Sequence, residues 1–377
     1  MKTVTLSSNT SWYLYNFRSA TIRRLALAGY RVVCLAPKDS YSRKLVAELN
    51  CEWLPLSMNN QGSNPFRDAS LVCQFWRYYR QLKPVAALHF TIKNNVYGTW
   101  AARALGVPAI NNISGLGTAF IRRGPVSAIV RLLYRASQPL ARHIFCQNEE
   151  DIEQLVGAQL VPREKLELVP GSGVDLARFN PALQEAHSGP LRFLYAGRML
   201  TDKGLNELIA AVRGINATGI QCHLWLSGFA DVKNVSAVSS ACLDEWGREP
   251  GIQWLGATDS LESLYAQVDC VVLPSYREGM PRSLLEAGAM GLPVVTTDVP
   301  GCRNVVDDQI NGLLCKVKDA ESLRRAMQRI LAMTYEQRAA MGANGRSLVA
   351  AKFDEQLVVA ATLRAVVAAE NSSPGPD

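Results

Sequence analysis

The stretch SYREGMPRSLLEAGAMGLPVV, residues 275–295, carries two glutamates whose carboxylates could bind hydroxyl groups. Glu278 stands in a Glu-Gly-Met-Pro turn, and Glu286 stands further along, inside the helix that the following residues predict. The first carboxylate could accept hydrogen bonds from the hydroxyls of a sugar, and the second could hold a pair of hydroxyls such as those of a ribose. Two solvated glutamates on a helix surface are the alternative interpretation of this spacing.

The residues between the two glutamates predict an anion site at the start of a helix. Gly279 permits a tight backbone path after the apolar run VVLPS, and Pro281 fits a first helical turn, where its missing N–H costs little. The N–H groups of Arg282 and Ser283 would then lie at the amino end of the helix, where they have no intrahelical partner. A phosphate binds well at such a helix end.

Two cations follow another predicted strand, in the stretch YAGRMLTDKG at 195–204. Arg198 comes directly after Gly197, and Lys203 comes later in the same loop. The fork of an arginine and the point charge of a lysine could hold a diphosphate and neutralise the charge that develops on it as a leaving group. Taken alone, this stretch favours the plainer interpretation of two solvated surface charges.

These residues must be positioned by an α/β architecture, because short apolar runs alternate with helical patterns along both halves of the chain. Strands separated by helices predict parallel sheets, and two doubly wound domains would place ligand loops at the carboxyl ends of their strands, facing a cleft. A Pro-, Gly- and Ser-rich stretch at 179–190 marks the boundary. We therefore predict an N-terminal domain at 1–183, a C-terminal domain at 184–354, and at 355–377 a helix that returns to the first domain and a tail.

Composition excludes several classes of protein. No apolar run reaches the ~18–20 residues of a membrane-spanning helix, and the N-terminus has no secretory pattern, so we expect a cytoplasmic protein. The nine cysteines are scattered without a Cys-x-x-Cys pair, and no metal-ligand spacing is present. The glycine fingerprint of dinucleotide enzymes is missing; Gly115-Leu-Gly117 is the nearest approach and lacks its third glycine.

Charge is unevenly distributed along the chain. Residues 1–186 hold 22 Lys and Arg and 12 Asp and Glu, a net charge of +10, whereas residues 187–377 hold 18 and 21, a net charge of −3. A basic first half predicts an anionic partner, which could be a membrane surface, a lipid phosphate or a nucleic acid. A basic surface without any partner is the alternative.

Together these motifs resemble the retaining glycosyltransferases of family 4, which have the GT-B fold. The resemblance spans nearly the whole chain and is most specific in PSYREGMPRSLLEAGAMGLPVVTTDVPGCRNVV at 274–306, with a further match in VPGSGVDLARFNP at 169–181. We expect no metal or other cofactor, because Arg198, Lys203 and the helix amino end could bear the diphosphate charge and the sequence has no Asp-x-Asp ligand pair. The resemblance has further implications for single residues. It implies that Arg198 and Lys203 bind the donor diphosphate, that Glu278 faces the donor sugar and that Glu286 binds the ribose. The implied donor-binding set also contains Gly279, Met280, Arg282 and Ser283.

The first half resembles one subgroup, the transferases that add N-acetylgalactosamine or a related sugar to a saccharide on undecaprenyl diphosphate. The matching stretches are SNTSWYLYNFR (8–18), HFTIKNNVYGTWAARALGVPAINNISGLGTAF (89–120) and PGCR (300–303). Two departures stand out: Pro281 occupies a position where many members have glycine, and Ser114 one where many have histidine. His89 is the one cleft-side histidine that we propose in this half, although a core histidine is the favoured interpretation.

A basic helical pattern, IRRGPVSAIVRLLYRASQPLARH at 121–143, follows at once. Arg131 and Arg135 share a helical face, and apolar residues lie beside them. A helix that touches anionic lipid and an ordinary core-packing helix explain this pattern equally well. The expected acceptor or membrane residues of the first half are Asn112, Ser114, Arg122, Arg123, Arg131 and Arg135.

The sequence thus predicts a retaining, metal-independent glycosyltransferase at the inner face of the cell membrane. Its donor would be a UDP-sugar, its acceptor a saccharide on a polyprenyl diphosphate, and its further partner an anionic membrane surface. A nucleotide-sugar epimerase or hydrolase of the same architecture is the alternative. Nucleic acid is not an expected partner, because no recognised binding motif accompanies the basic half.

Overall fold

A computed structural model describes the protein at residues 1–58, 65–116, 125–185, 187–231 and 234–371. The chain forms two compact units, one from Met1–Ser172 with Glu355–Asp377 and the other from Gly173–Asp354. Each unit contains one all-parallel sheet whose strands are linked by helices, so the predicted α/β class is confirmed. The domain boundary at 183/184 stays a prediction, and Val174 and Phe179 pack in the core of the second unit.

The first unit has a seven-stranded sheet in the order β3-β2-β1-β4-β5-β6-β7. All five residues of β1, of β4 and of β5 are buried, as expected for parallel strands covered on both faces. The strands are β1 (Thr3–Ser7), β2 (Arg31–Ala36), β3 (Glu52–Pro55), β4 (Ala86–Phe90), β5 (Ala109–Ile113), β6 (His143–Cys146) and β7 (Leu166–Leu168).

Helices cover this sheet and create two separate hydrophobic cores. Thr10 caps the first helix by accepting a hydrogen bond from the N–H of Tyr13, and a π-helical turn at Asn94–Gly98 leads into the fourth. The helices are α1 (Ser11–Leu27), α2 (Tyr41–Leu49), α3 (Pro65–Leu82), α4 (Thr99–Ala104), α5 (Pro125–Ser137) and α6 (Glu149–Gly157).

The second unit has a six-stranded sheet in the order β10-β9-β8-β11-β12-β13. The strand order reverses beside β8, as in doubly wound sheets, where right-handed crossovers place helices on both faces. The strands are β8 (Leu191–Ala196), β9 (Cys222–Ser227), β10 (Ile252–Gly256), β11 (Cys270–Leu273), β12 (Val294–Thr297) and β13 (Gly312–Cys315). The helices are α7 (Leu205–Asn216), α8 (Ser240–Trp246), α9 (Leu261–Tyr265), α10 (Arg282–Ala289), α11 (Ala320–Ala332) and α12 (Tyr335–Lys352).

The last helix among the described residues is α13 (Glu355–Asn371), which belongs to the first unit. Ala361, Val366 and Ala369 are buried in the same core as residues of α1 and β1. The hydroxyl of Tyr30 donates to Glu370 over 2.7 Å, and Lys2 forms an ion pair with the same carboxylate. Among the described residues, no helix is long and apolar enough to cross a membrane.

Candidate functional site

The candidate site of the second unit lies where its strand order reverses, between β8 and β11. These strands are neighbours in the sheet, with Phe193 opposite Cys270 and Leu194 opposite Val271. Their parallel pairing brings the loops after their carboxyl ends together, although β9 and β10 separate the two strands in the sequence. Open α/β sheets bind ligands outside the carboxyl ends of strands at such a reversal.

A close backbone contact fixes the loop that carries Lys203. Gly204 has φ +77°, and a Cβ atom at this position would overlap the carbonyl oxygen of Pro274. The N–H of Tyr276 donates to the carbonyl of Asp202 over 3.0 Å. Only glycine lets the 201–204 turn lie so close to the loop after β11, so Gly204 positions Lys203 beside that loop.

Lys203 and Glu278 form an ion pair at this junction. Their side chains are 17% and 14% exposed, so each charge is largely removed from water and compensated mainly by the other. Truncating one partner would leave the other partly buried without its counter-charge, which destabilises proteins. The structure thus brings together two residues that the sequence assigned to the diphosphate and to the sugar of the same donor.

A second glycine supports the turn that contains Glu278. Gly301 has φ +84°, and a Cβ atom there would lie 2.6 Å from the carbonyl oxygens of both Glu278 and Gly279. The loop after β12 therefore packs directly against the backbone of this turn. The hydroxyl of Thr297 also donates to the carbonyl of Ser275. A close backbone approach and a side-chain hydrogen bond thus support the turn that contains Glu278.

Arg198 stands in a different environment from Lys203. Its side chain is exposed, and its guanidinium has no hydrogen bond or ion pair among the described residues. The carbonyl of Arg198 accepts a hydrogen bond of 2.7 Å from the hydroxyl of Tyr195. Burial raises the pKa of that tyrosine well above its ordinary value, and the Glu278 carboxylate adds to the shift. The backbone at Arg198 is thus fixed while its cation is available to a ligand.

Glu286 lies inside α10 and is 5% exposed. One carboxylate oxygen accepts a 2.8 Å hydrogen bond from Nε of Arg282, and the other accepts a 3.1 Å bond from the hydroxyl of Tyr265. Burial raises the pKa of the carboxyl group, while Arg282 and Tyr265 act in the opposite direction. Each oxygen keeps further lone-pair capacity, so a ligand diol could still donate to this carboxylate.

The amino end of α10 carries the remaining donor-binding candidates. The helix begins at Arg282, with Pro281 in an extended conformation as the N-cap residue, one position earlier than the first-turn role predicted for it. The N–H groups of Leu284 and Leu285 donate to the carbonyl of Pro281. Met280 packs on the core of the unit. Arg282 and Ser283 therefore occupy the first helical positions, next to the turn of Glu278.

In the first unit, Asn112 and Ser114 lie at and just beyond the end of β5. Asn112 is buried, and its carbonyl accepts a 2.9 Å hydrogen bond from the side chain of Asn95. Ser114 is half-buried, and its hydroxyl lies 3.2 Å from the hydroxyl of Tyr13. Ser114 is therefore the more accessible of the two candidates.

His89 is a core residue. Its ring is fully buried, with Nε2 2.8 Å from the hydroxyl of Tyr79 and Nδ1 2.8 Å from the side-chain oxygen of Asn111. Burial lowers the pKa of His89 to about 4, so the ring is neutral at pH 7. A Cβ atom at Gly98 would lie 2.6 Å from the ring, so the π-helical turn closes over it. The favoured interpretation of this histidine agrees with these contacts.

The helix of the basic stretch is α5, and it carries both apolar and cationic exposed residues. Arg131 and Arg135 are exposed, as are Ile129 at 47% and Leu132 at 66%. Tyr134 of the same helix is fully buried in the core. Arg122 and Arg123 lie outside the described residues.

The sequence reasoning missed several residues that shape these sites. Tyr265 binds Glu286 and also donates to the carbonyl of Ser283 over 3.2 Å, but a tyrosine at the end of a short helix gives no signal of that role. Arg18 of α1 is buried, although its place in SWYLYNFR reads as an ordinary helix surface. Within the described parts of the chain, no three His, Cys, Asp or Glu side chains group as a metal site would require.

Comparisons with known proteins match both units to families. Residues 18–172 match the family described as Glycosyl transferase 4-like domain, and residues 179–348 match Glycosyl transferases group 1. A relative from Campylobacter jejuni, N,N'-diacetylbacillosaminyl-diphospho-undecaprenol alpha-1,3-N-acetylgalactosaminyltransferase, is 27% identical over 84% of this chain and 86% of its own. UDP-Gal:alpha-D-GlcNAc-diphosphoundecaprenol alpha-1,3-galactosyltransferase from Escherichia coli is 25% identical over 63% of this chain and 64% of its own.

Solved structures share the fold over nearly the whole chain. A glycosyltransferase from Rickettsia africae superposes with a TM-score of 0.80 at 15% identity, covering 99% of both chains. Anabaena HepE, solved in complex with UDP and glucose, gives a TM-score of 0.80 at 15% identity and covers 98% of this chain and 100% of its own. At these identities the likeness concerns the fold, and it confirms the two Rossmann-like domains that the GT-B resemblance implies.

Proposed function

Because the chain belongs to the glycosyltransferases built from a 4-like domain and a group 1 domain, we propose that it transfers a sugar from a UDP-sugar to a saccharide on undecaprenyl diphosphate. N-acetylgalactosamine or a related hexose is the proposed sugar, and assembly of a bacterial surface polysaccharide is the proposed setting. The names of the Campylobacter jejuni and Escherichia coli relatives support this choice, since both contain an undecaprenyl-linked acceptor. UDP appears in the name of the second.

The observation that carries the proposal is the ion pair of Lys203 and Glu278 at the strand reversal. A donor diphosphate brings negative charge to Lys203, and the ammonium group can then donate to phosphate oxygens. Glu278 would in turn accept hydrogen bonds from the donor sugar. In the proposed binding mode, the donor replaces the ion pair of the unliganded protein. Lys203 then binds the leaving phosphate, and Glu278 binds the sugar that is transferred.

The remaining donor contacts extend along the same edge of the sheet. Arg198 would hold the diphosphate with its exposed guanidinium, and Glu286 would bind the ribose. Ser283 and Arg282 would offer the amino end of α10 to a phosphate. Gly279 and Met280 would line the turn between sugar and phosphate.

Retention of configuration and independence of metal ions form part of the proposal. The bond from the sugar C1 to the leaving phosphate oxygen breaks as the acceptor oxygen bonds to C1 from the same face. The acceptor hydroxyl proton passes to the leaving phosphate, and UDP is released. Arg198, Lys203 and the helix amino end would stabilise the charge that develops on that phosphate, the role that a metal ion has in other transferases.

The acceptor would reach the first unit from an anionic membrane surface. The exposed apolar and cationic residues of α5 support such a contact, because a basic helix with exposed Ile and Leu side chains can lie in a lipid interface. We therefore propose that the protein acts as a peripheral enzyme at the inner face of the cell membrane.

Release of UDP from a panel of UDP-sugars, with and without a short-chain prenyl diphosphate saccharide, tests the proposal. We expect one sugar to be preferred and UDP release to require the acceptor, with the product carrying an α-linkage by NMR. Rapid UDP release without acceptor would instead identify a hydrolase, and a change of sugar without UDP release an epimerase. Either result would contradict the proposed transfer.

A further inference from the structure

Arg18 is a buried cation in α1 that has no acidic partner in the part of the chain that the structure describes. The residue is 2% exposed. Its Nη2 donates to the hydroxyl of Tyr13 over 3.3 Å, and its Nε has no hydrogen-bond partner in that part of the chain. The guanidinium carbon lies 4.3 Å from the centre of the Phe90 ring. That cation–π contact offsets only part of the cost of burying a charge.

This cation lies at the ligand-binding edge of the first sheet. A long side chain on a helix points back toward the helix amino end, so Arg18 reaches toward the loop between β1 and α1. Phe90 is the last residue of β4, and Ser114 follows the last residue of β5. The strand order of this sheet reverses beside β1 and β4, where open α/β sheets bind ligands.

The hydrogen bond between Arg18 and Tyr13 has a fixed direction. A guanidinium donates and cannot accept, so Tyr13 must accept from Arg18. Ser114 is the other polar partner of the Tyr13 hydroxyl among the described residues, at 3.2 Å. Either hydroxyl can be the donor of this bond, and donation from Tyr13 to Ser114 is the arrangement that gives the Tyr13 proton an acceptor. In that arrangement the Ser114 hydroxyl, which is half-buried, has its own proton left to donate outward.

This series of hydrogen bonds begins at the buried positive charge of Arg18 and ends at the Ser114 hydroxyl. The charge polarises that hydroxyl as a hydrogen-bond donor. A polarised donor next to a buried cation repels cationic ligands. It also offers no good acceptor to a ligand hydroxyl that must donate a hydrogen bond. An oxyanion, in contrast, would accept from Ser114 and supply the negative charge that Arg18 lacks. A group with phosphoryl oxygens fits this chemistry best.

We propose that Arg18, Tyr13 and Ser114 form a binding site for the diphosphate of the polyprenyl-linked acceptor. The identity of this anion rests on the proposed function, because the acceptor is the phosphorylated ligand expected in the first unit. The donor diphosphate has its own cations, Arg198 and Lys203, in the second unit. Ser114 acts at this site as a hydrogen-bond donor to phosphate and not as a base.

Calorimetric titration of the full chain with geranylgeranyl diphosphate, inorganic pyrophosphate and UDP tests this site. The main variant is Arg18→Met, which keeps an unbranched side chain and removes the charge. We expect it to weaken geranylgeranyl diphosphate binding about 10-fold or more, because the positive charge that compensates the bound anion is lost, and to leave UDP binding unchanged. Arg198→Ala is the matched control, and it should weaken UDP while sparing the prenyl diphosphate.

Unfolding in urea separates this role from a structural one. An apolar side chain in place of an incompletely compensated buried cation should leave the stability of the ligand-free protein unchanged or increase it. A marked loss of stability together with unchanged prenyl diphosphate affinity would identify Arg18 as a structural cation and overturn the proposal. A loss of UDP affinity in Arg18→Met would overturn it as well, because the site would then belong to the donor.

Two further variants keep the test decisive if Arg18→Met fails to fold. Ser114→Ala and Tyr13→Phe remove the hydroxyls and leave the cation in place, so both should weaken prenyl diphosphate binding several-fold. Unchanged affinity in both would overturn the proposal. If Arg18-dependent binding is found but no sugar transfer occurs under any donor, the site stands and the proposed function fails.

Discussion

Arg198 and Lys203 are the two candidate cations for the donor diphosphate, and they differ in what they do before any donor binds. Arg198 is exposed, whereas Lys203 is paired with Glu278 in a largely buried position. An alanine at Arg198 therefore removes only a contact with the ligand. An alanine at Lys203 also leaves Glu278 without its partner.

We predict that Arg198→Ala and Lys203→Ala both lower kcat by about 10²-fold or more, because each removes a group that stabilises charge in the transition state. Only Lys203→Ala should also lower the free energy of unfolding, by about 1–3 kcal/mol. Steady-state kinetics and urea unfolding measure the two effects. Wild-type kcat in both variants would remove these residues from the donor site.

We expect substitutions of the two glutamates to change different kinetic constants. Glu278→Gln should reduce kcat, since the sugar that it touches changes charge as the bond breaks. Glu286→Gln should raise the KM for the donor, since the ribose does not react and its binding is the same in the ground state and the transition state. Initial rates over a range of donor concentrations distinguish them. Near wild-type values of kcat and KM in both variants would leave the two carboxylates without a role.

His89 makes the stability of the first unit depend on pH. Its folded pKa of about 4 lies below the ordinary value of 6.5, so between these values the unfolded chain binds a proton that the folded chain does not. Stability should therefore be complete above pH 6.5 and fall by about 3 kcal/mol as the pH drops to about 4. Urea unfolding at several pH values measures the loss.

His89→Gln should remove this part of the pH dependence, because glutamine does not titrate in this range. His223→Gln, in the second unit, is the matched control and should retain it. An unchanged pH profile in His89→Gln would contradict the assignment.

Single residues could be predicted from the sequence where a motif specified their order along the chain. Arg198, Lys203, Glu278 and Glu286 belong to this group. The ion pair of Lys203 and Glu278 could not be predicted, because the partners are 75 residues apart and meet only through the pairing of β8 with β11. The burial of Arg18 could not be predicted for a similar reason, because the side chain packs on Phe90, which belongs to a strand distant in the sequence.

Among the elements, the turn at 201–204 is the one whose geometry depends most directly on a glycine. Gly204 and Gly219 have nearly the same φ, +77° and +82°, but only Gly204 has atoms within 4 Å of the position of a Cβ atom. An alanine at either site carries the same backbone penalty of about 1 kcal/mol. The difference between the two variants therefore measures the contact with Pro274.

We predict that Gly204→Ala costs about 1–3 kcal/mol more than Gly219→Ala in the free energy of unfolding, as overpacking does. It should also lower kcat by about 10²-fold, because the turn that carries Lys203 must move away from the loop after β11. Gly219→Ala should keep wild-type kcat. Equal stability and equal kcat in the two variants would show that the close approach has no role.

The strands and helices could be predicted better than the order of the strands within each sheet. Alternating apolar and helical patterns indicated parallel α/β units, and short runs such as CVVL correspond to observed strands. The order of strands within each sheet did not follow from these patterns, because crossovers on either face give the same sequence periodicity. The candidate site depends on that order, so its location became clear only in the structure.

At the scale of the molecule, charge follows the two folding units. Assigned by unit, Met1–Ser172 with Glu355–Asp377 holds 22 Lys and Arg against 13 Asp and Glu, a net charge of +9, and Gly173–Asp354 holds 18 against 20, a net charge of −2. Only the first unit should therefore be attracted to an anionic surface. The exposed residues of α5 are the proposed point of contact.

We predict that the protein co-sediments with vesicles that contain anionic lipid and that added salt weakens the binding, with about 1 kcal/mol for each basic residue near the surface. Reversing Arg131 and Arg135 to Glu should weaken the binding without changing the circular dichroism spectrum. Arg325 and Arg329, exposed and equally spaced on α11, are the control pair; their reversal should have a smaller effect. Equal binding to neutral vesicles, or equal effects of the two reversals, would contradict the proposed contact.

The position of α13 has a consequence for the order in which the protein is made. The ribosome completes the first 172 residues and then synthesises the 182 residues of the second unit before α13 emerges. At about 5–20 residues per second, the core beneath α13 stays open for roughly 10–40 s. During that interval the nascent first unit exposes apolar surface that Val366 and Ala369 later cover. Newly made chains are then most vulnerable to aggregation and to proteases, and most dependent on chaperones.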